Sequence, residues 1–151
     1  MPTNILRKAS DARKPRASGP RAVLEQRVAV LTAGRVSVRL ELLDTETARL
    51  VWQALPLYST AETWGACIHF ETPLETGRDR TARINGVVGE AYFWIADDRV
   101  LLPFGPTAIS RPNECRLPSP CNVWARVLGD PGDLKALRAV RPGEKVSLAA
   151  G

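Results

Sequence analysis

Few residues in this chain are of types that do chemistry. Its single histidine, His69, stands two residues after Cys67, so in a strand the two side chains point the same way. Cys115 and Cys121 are the other cysteines. Zinc accepts thiolates and imidazole, but there is no CxxC and the spacing matches no zinc signature. The thiols are therefore read as buried or incidental, His69 as a surface residue, and no metal site is expected. Asp97 and Asp98 fall between two apolar runs, where aspartate suits turn geometry, and are not read as an acid–base pair. The chain contains no GxSxG elbow, P-loop or GxGxxG fingerprint. We expect no catalytic residue and no cofactor.

Binding chemistry is better represented. Residues 103–120 hold Pro103, Pro106, Pro112, Pro118 and Pro120 within 18 positions and show little strand pattern. So long a connection in a compact domain is commonly functional, and proline lowers the entropy lost when it orders. Thr107 and Ser110 offer hydroxyls, and Arg111 offers a fork for a carboxylate or phosphate. Against this, short hydroxyl side chains in a loop often bond their own backbone. Among the aromatics, Trp64, Tyr92, Trp94 and Phe104 stand out. Tyr92 and Trp94 share one strand face, opposite Phe93 and Ile95, and one of these pairs must face the interior. The candidate ligand contacts are Trp64, Tyr92, Phe104, Thr107, Ser110 and Arg111.

These residues need a scaffold, and the pattern predicts mostly strands. Residues 28–32 and 35–43 form a hairpin about Ala33-Gly34. The second strand alternates Val36, Val38, Leu40 and Leu42 against Ser37, Arg39 and Glu41. A helix is predicted over 45–55, with Asp44 as N-cap, Glu46 in the first turn and Ala48, Val51, Trp52 and Leu55 as the buried stripe. Pro56 ends it. Further strands are predicted at 64–70, 84–88, 91–95, 99–104 and 122–128, the last with Val123, Ala125 and Val127 inward. Residues 91–104 read as a hairpin, and 73–81 as a polar loop. A short helix over 132–137 takes Asp130 as cap and Pro131 near its start. Residues 140–148 close the body as an edge strand. Many short strands and two helices suggest a small barrel or sandwich.

The chain has 151 residues, 44% hydrophobic, 25% charged and 6% aromatic. This is one ordinary domain, with no apolar run near the roughly 18 residues that span a bilayer. The formal charge of +5 is uneven. Residues 1–22 carry six basic residues and one acidic one, whereas 23–151 carry 15 of each. We read 1–22 as a basic disordered tail and 23–151 as the domain. The tail lacks the apolar segment of a secretory signal. It is Arg-rich and acid-poor like a transit peptide, but Pro15, Gly19 and Pro20 interrupt any helix. A neutral body gives no nucleic-acid surface, so a nucleic-acid partner is not expected. Three sparse cysteines suit a reducing cytoplasm better than a disulfide framework.

Several segments are together recognisable. Trp64-Gly65 with Ile68-His69-Phe70 resembles a Thr-Trp-Gly strand motif. Residues 89–94, Gly-Glu-Ala-Tyr-Phe-Trp, resemble the segment that follows it. Residues 104–110, Phe-Gly-Pro-Thr-Ala-Ile-Ser, resemble a Phe-Gly-Pro-Thr-Pro-Ile-Ser signature, with Ala108 in place of proline. Asn122-Val123 and Gly129-Asp130 match the closing strand, and the 42–55 helix with its Ala-Leu-Pro ending fits. Five motifs in order, from about residue 27 to 147, resemble the bacterial and archaeal cyclophilin-like proteins, a family largely without assigned function. The resemblance implies a mainly β fold: a small closed antiparallel β-barrel with one or two short capping helices. It does not imply prolyl isomerase activity, because the Phe-His-Arg strand and the Phe-Met-x-Gln-Gly-Gly segment of true cyclophilins are absent.

The expected function is therefore binding of a small molecule or short peptide at a groove beside the 103–120 loop. The alternative is a divergent prolyl isomerase with Arg39 or Arg111 polarising the imide. A homodimer through an edge strand is left open.

Overall fold

The structure is a computed structural model and describes residues 26–151. The tail assigned to 1–22, and the start of the domain at 23, lie outside the described residues. Strand β1 (Val28–Ala33) turns at Gly34 into β2 (Val36–Leu42), and then comes helix α1 (Glu46–Ala54). Strands β3 (Leu57–Thr60), β4 (Glu62–Thr63), β5 (Cys67–Glu71), β6 (Arg83–Asn85), β7 (Glu90–Trp94) and β8 (Arg99–Pro103) follow. Strand β9 (Arg116–Val127), a 3-10 helix (Pro131–Ala139) and β10 (Lys145–Ala150) complete the chain. No helix among the described residues is long and apolar enough to cross a membrane.

The ten strands form one antiparallel sheet, ordered β3-β10-β1-β2-β9-β7-β8-β5-β4, with β6 paired to β9 off this path. The sheet is mainly β, as expected, but it is not closed. Its two edges, β3 and β4, are consecutive pieces of chain separated only by the fully buried Ala61. β3 ladders to β10 and β4 to β5. One stretch of backbone thus crosses the seam of the curl without sealing it by hydrogen bonds. β10 is no edge strand, because it lies between β3 and β1.

The sheet buries both of its faces around β8. Ile68, Phe70, Ala91, Phe93, Val100 and Leu102 enter the main core, which α1 closes with Ala48 and Val51 and the 3-10 helix with Leu134 and Leu137. The alternate residues Cys67, Tyr92 and Leu101 form a second cluster with Leu117, Cys121 and Val123. This explains the unbroken apolar run 100–103, which a strand with one wet face would not carry. Phe93 therefore takes the interior, and Tyr92 and Trp94 take the other face.

Four local expectations change. Thr45, not Asp44, caps α1, accepting from the Ala48 N–H at 3.0 Å. Asp44 instead pairs with Arg49 at 2.7 Å. Trp52 is half-buried under the Arg27 guanidinium, 5.5 Å from the ring centre, and is not a core residue. The 103–120 loop is shorter than its prolines suggest, because β9 begins at Arg116. Pro118 and Pro120 sit between its two β6 pairings, Arg116 with Asn85 and Cys121 with Arg83, where the register shifts and a missing N–H is tolerated. A second register shift between Val123 and Ala125 turns Trp124 into the main core beside Ala125 and leaves Val123 in the second cluster.

Candidate functional site

The face bearing Tyr92 and Trp94 also carries Arg99 and Leu101 from β8 and His69 from β5. Pairing sets them in rows across the sheet. Glu62 opposes His69, His69 opposes Leu101 and Leu101 opposes Tyr92, while Arg99 opposes Trp94. This face opens into a groove of about 340 Å³. Its lining is Glu62, Trp64, His69, Trp94, Asp97, Arg99, Leu101 and Pro118.

Trp64 is held there by a turn that joins two of the recognisable motifs. The Trp64 N–H donates to Cys67 O at 2.9 Å. The Ala66 N–H donates to Pro106 O and the Phe104 N–H to Ala66 O, both at 2.8 Å. Gly65 has φ +62, and a Cβ there would lie 2.5 Å from the Ala108 nitrogen. The Trp-Gly and Phe-Gly-Pro segments are thus two halves of one tight contact, which only glycine permits.

Arg99 organises the charges. Its Nε donates to Asp97 Oδ2 at 2.9 Å, and its Nη1 lies 3.7 Å from Glu62 Oε2. Nη1 also lies 3.3 Å from His69 Nδ1. Arginine can only donate, so Nδ1 accepts and the proton of the neutral imidazole is on Nε2. Burial lowers the His69 pKa and the Arg99 charge lowers it further, against smaller opposing effects of Glu62 and Asp97. His69 is expected to titrate below its ordinary 6.5. Protonation then favours the unfolded chain, so His69's contribution to stability is intact above that ordinary value and is lost as pH falls below it. In NMR titrations, Arg99→Leu raises the His69 pKa, since only burial then opposes the two carboxylates. An unchanged value would show that Arg99 does not set it.

Trp94 also carries an unpaired donor. Its indole Nε1 is buried, shut off from the groove's open space, and has no hydrogen-bond partner among the described residues, at a cost of about 1–3 kcal/mol.

Of the six candidate contacts, Trp64 alone lines the groove. Tyr92 lies beneath it, fully buried. Its hydroxyl accepts from the Val87 N–H at 2.6 Å and donates to Glu90 Oε1 at 2.7 Å. Burial and that bond hold the phenol above its usual pKa range. Phe104 packs against the main core. Thr107 is buried, and its N–H and hydroxyl both bond Ser110 Oγ at 2.9 Å. Ser110 Oγ also accepts from the Arg116 N–H at 2.9 Å, so both hydroxyls serve the loop's own backbone. Arg111 is exposed on that loop, its N–H bonded to Glu114 Oε1 at 2.9 Å.

The sequence reading missed Glu62, His69, Asp97 and Arg99 as groove residues. The hairpin alone could have paired Trp94 with Arg99. The pairing of His69 with Leu101 joins strands 32 positions apart and left no local trace. Among the described residues no group of three or more metal-ligating side chains gathers. Cys67, Cys115 and Cys121 are free and buried. Burial pushes the Cys115 thiol up to about 11 and the Cys121 thiol up to about 12, and it raises Cys67 further. Because the thiolate is the reactive form, a disulfide-exchange reagent is expected to leave all three unmodified in the native protein and to titrate them once denaturant is added. Fast native modification would contradict the burial.

Residues 26–149 match the family model described as cyclophilin-like. The fold is similar to that of a hypothetical protein from Archaeoglobus fulgidus, known in solution. The two are 27% identical with a TM-score of 0.70, over 83% of this chain and 95% of that one. It also resembles McbB, solved in complex with tryptophan, at 16% identity and a TM-score of 0.62, over 80% of this chain and 44% of that chain. The second likeness is one of fold alone. No curated protein matches the chain. With the family match spanning the described body of the chain, this protein belongs to the cyclophilin-like family.

Proposed function

We propose that the domain binds a small molecule in the groove between Trp64, Trp94 and Pro118, and that it does so without catalysis. The two indoles on one open groove carry this reading: Trp64 and Trp94, with Leu101, supply apolar contact for a ring. The volume is at the low end of the roughly 300–1,000 Å³ usual for small-molecule pockets, which favours a compact ligand over a peptide. For the isomerase alternative, neither Arg39 nor Arg111 is in the lining.

The test is an NMR titration of the nitrogen-labelled protein with neutral aromatic amides such as benzamide and nicotinamide. Trp64→Phe and Trp94→Phe assign the indole signals. Binding is expected to move the Trp94 and Trp64 indole signals together. Saturable shifts elsewhere with both indoles unmoved would place the site outside this groove.

A further inference from the structure

The groove's charges narrow the ligand class, given the reading that the groove binds a small molecule at all. Two carboxylates, Glu62 and Asp97, face one guanidinium, Arg99. The remaining titratable group of the lining, His69, accepts from Arg99 through Nδ1 and is neutral. The lining therefore carries one net negative charge. Arg99 is engaged on both sides, by Asp97 at 2.9 Å and Glu62 at 3.7 Å, and is only 18% exposed. The carboxylates remain 53% and 56% exposed at the groove's edge. The positive charge is thus the more buried and the negative charges the more exposed. The lining also holds the indoles of Trp64 and Trp94, whose π-systems attract a cation.

We infer that the groove selects a flat organic cation, its positive charge lying between the indoles and the Glu62 and Asp97 carboxylates. An anion of the same shape meets the carboxylates at the entrance and finds Arg99 already paired.

Three probes of one shape test this at neutral pH: nicotinamide methylated at its ring nitrogen, nicotinamide itself and nicotinate. They keep a ring and an acyl oxygen and differ in charge from positive through neutral to negative. Dissociation constants are read from the Trp64 and Trp94 indole signals. The cation is expected to bind about tenfold more tightly than neutral nicotinamide, and nicotinate most weakly. Combining Glu62→Gln with Asp97→Asn is expected to abolish the cation's advantage while nicotinamide still binds. Rising salt acted on the unmodified protein gives the same reading if that variant does not fold, because it weakens the cation and spares the neutral amide. Equal or stronger binding of nicotinamide or nicotinate overturns the charge preference and leaves the groove as a binding site. If none of the three moves either indole, the groove reading falls with it.

Discussion

An Asn122→Ala variant is expected to lose about 3 kcal/mol of folding stability, although it removes only a small polar side chain. Asn122 is fully buried in the middle of β9. Its Nδ2 donates to Thr47 Oγ1 at 2.9 Å and to Gly77 O at 2.8 Å, and its Oδ1 accepts from the Asp79 N–H at 3.0 Å. Thr47, also fully buried, donates in turn to Asp79 Oδ2 at 3.0 Å. Asp79 Oδ1 accepts from the Thr81 N–H at 2.8 Å, and Thr81 Oγ1 accepts from the Val123 N–H at 2.8 Å. One amide therefore ties α1, the polar segment before β6 and β9 together. Truncation leaves the Gly77 carbonyl and the Asp79 N–H without this partner and takes one of two from the Thr47 hydroxyl, which keeps Asp79; each orphaned group costs about 1–3 kcal/mol when buried, less whatever entering water recovers. Urea unfolding should show a lower midpoint with an unchanged slope. A loss below about 1 kcal/mol would mean that water replaces the amide fully.

Gly65→Ala is expected to cost about as much, roughly 3 kcal/mol, and to disturb the groove as well. At φ +62 a side chain costs about 1–2 kcal/mol from backbone strain alone. The added Cβ would also lie 2.5 Å from Ala108 N and 2.7 Å from the Thr107 carbonyl carbon, both backbone atoms that cannot swing aside. The turn must move, and Trp64 moves with it. Gly129→Ala is the matched comparison: its φ is +92, but nothing lies within 4 Å of the new Cβ. It should show the conformational cost alone. If the two variants unfold at the same denaturant concentration, the contact between the Trp-Gly turn and the Phe-Gly-Pro loop contributes nothing. If they differ as expected, Gly65→Ala should also shift the Trp64 indole signal, whereas Gly129→Ala should not.

Both residues were visible as motif positions, and their roles were not. Gly65 stood in a Trp-Gly pair, but its partner surface lies some forty positions on, at residues 106–108. Asn122 stood in an Asn-Val pair, and Thr47 is 75 positions away. Long-range contacts of this kind leave no periodicity in either segment.

What the sequence determined by itself was local. The hairpin of β1 and β2 follows from alternation around Gly34, the end of α1 from Pro56, and the start of the 3-10 helix from Asp130, which accepts from the Gly132 N–H at 2.9 Å. The mainly β class follows from the spacing of these signals, and the family from motifs in order. Tertiary structure decided which side of each strand counts as inside. β8 is apolar on both faces, so alternation could not tell Leu101 from Leu102, and only the sheet order sends one to each core. It also decided the groove. Trp64, His69, Trp94 and Arg99 come from four separate stretches of chain, and only Trp64 among them stood out in the sequence as a ligand contact. The ladders that bring β7, β8, β5 and β4 side by side turn them into one lining. Strand register is set by the whole sheet's burial, not by any one strand, and for that reason the site beyond Trp64 was not legible before the fold.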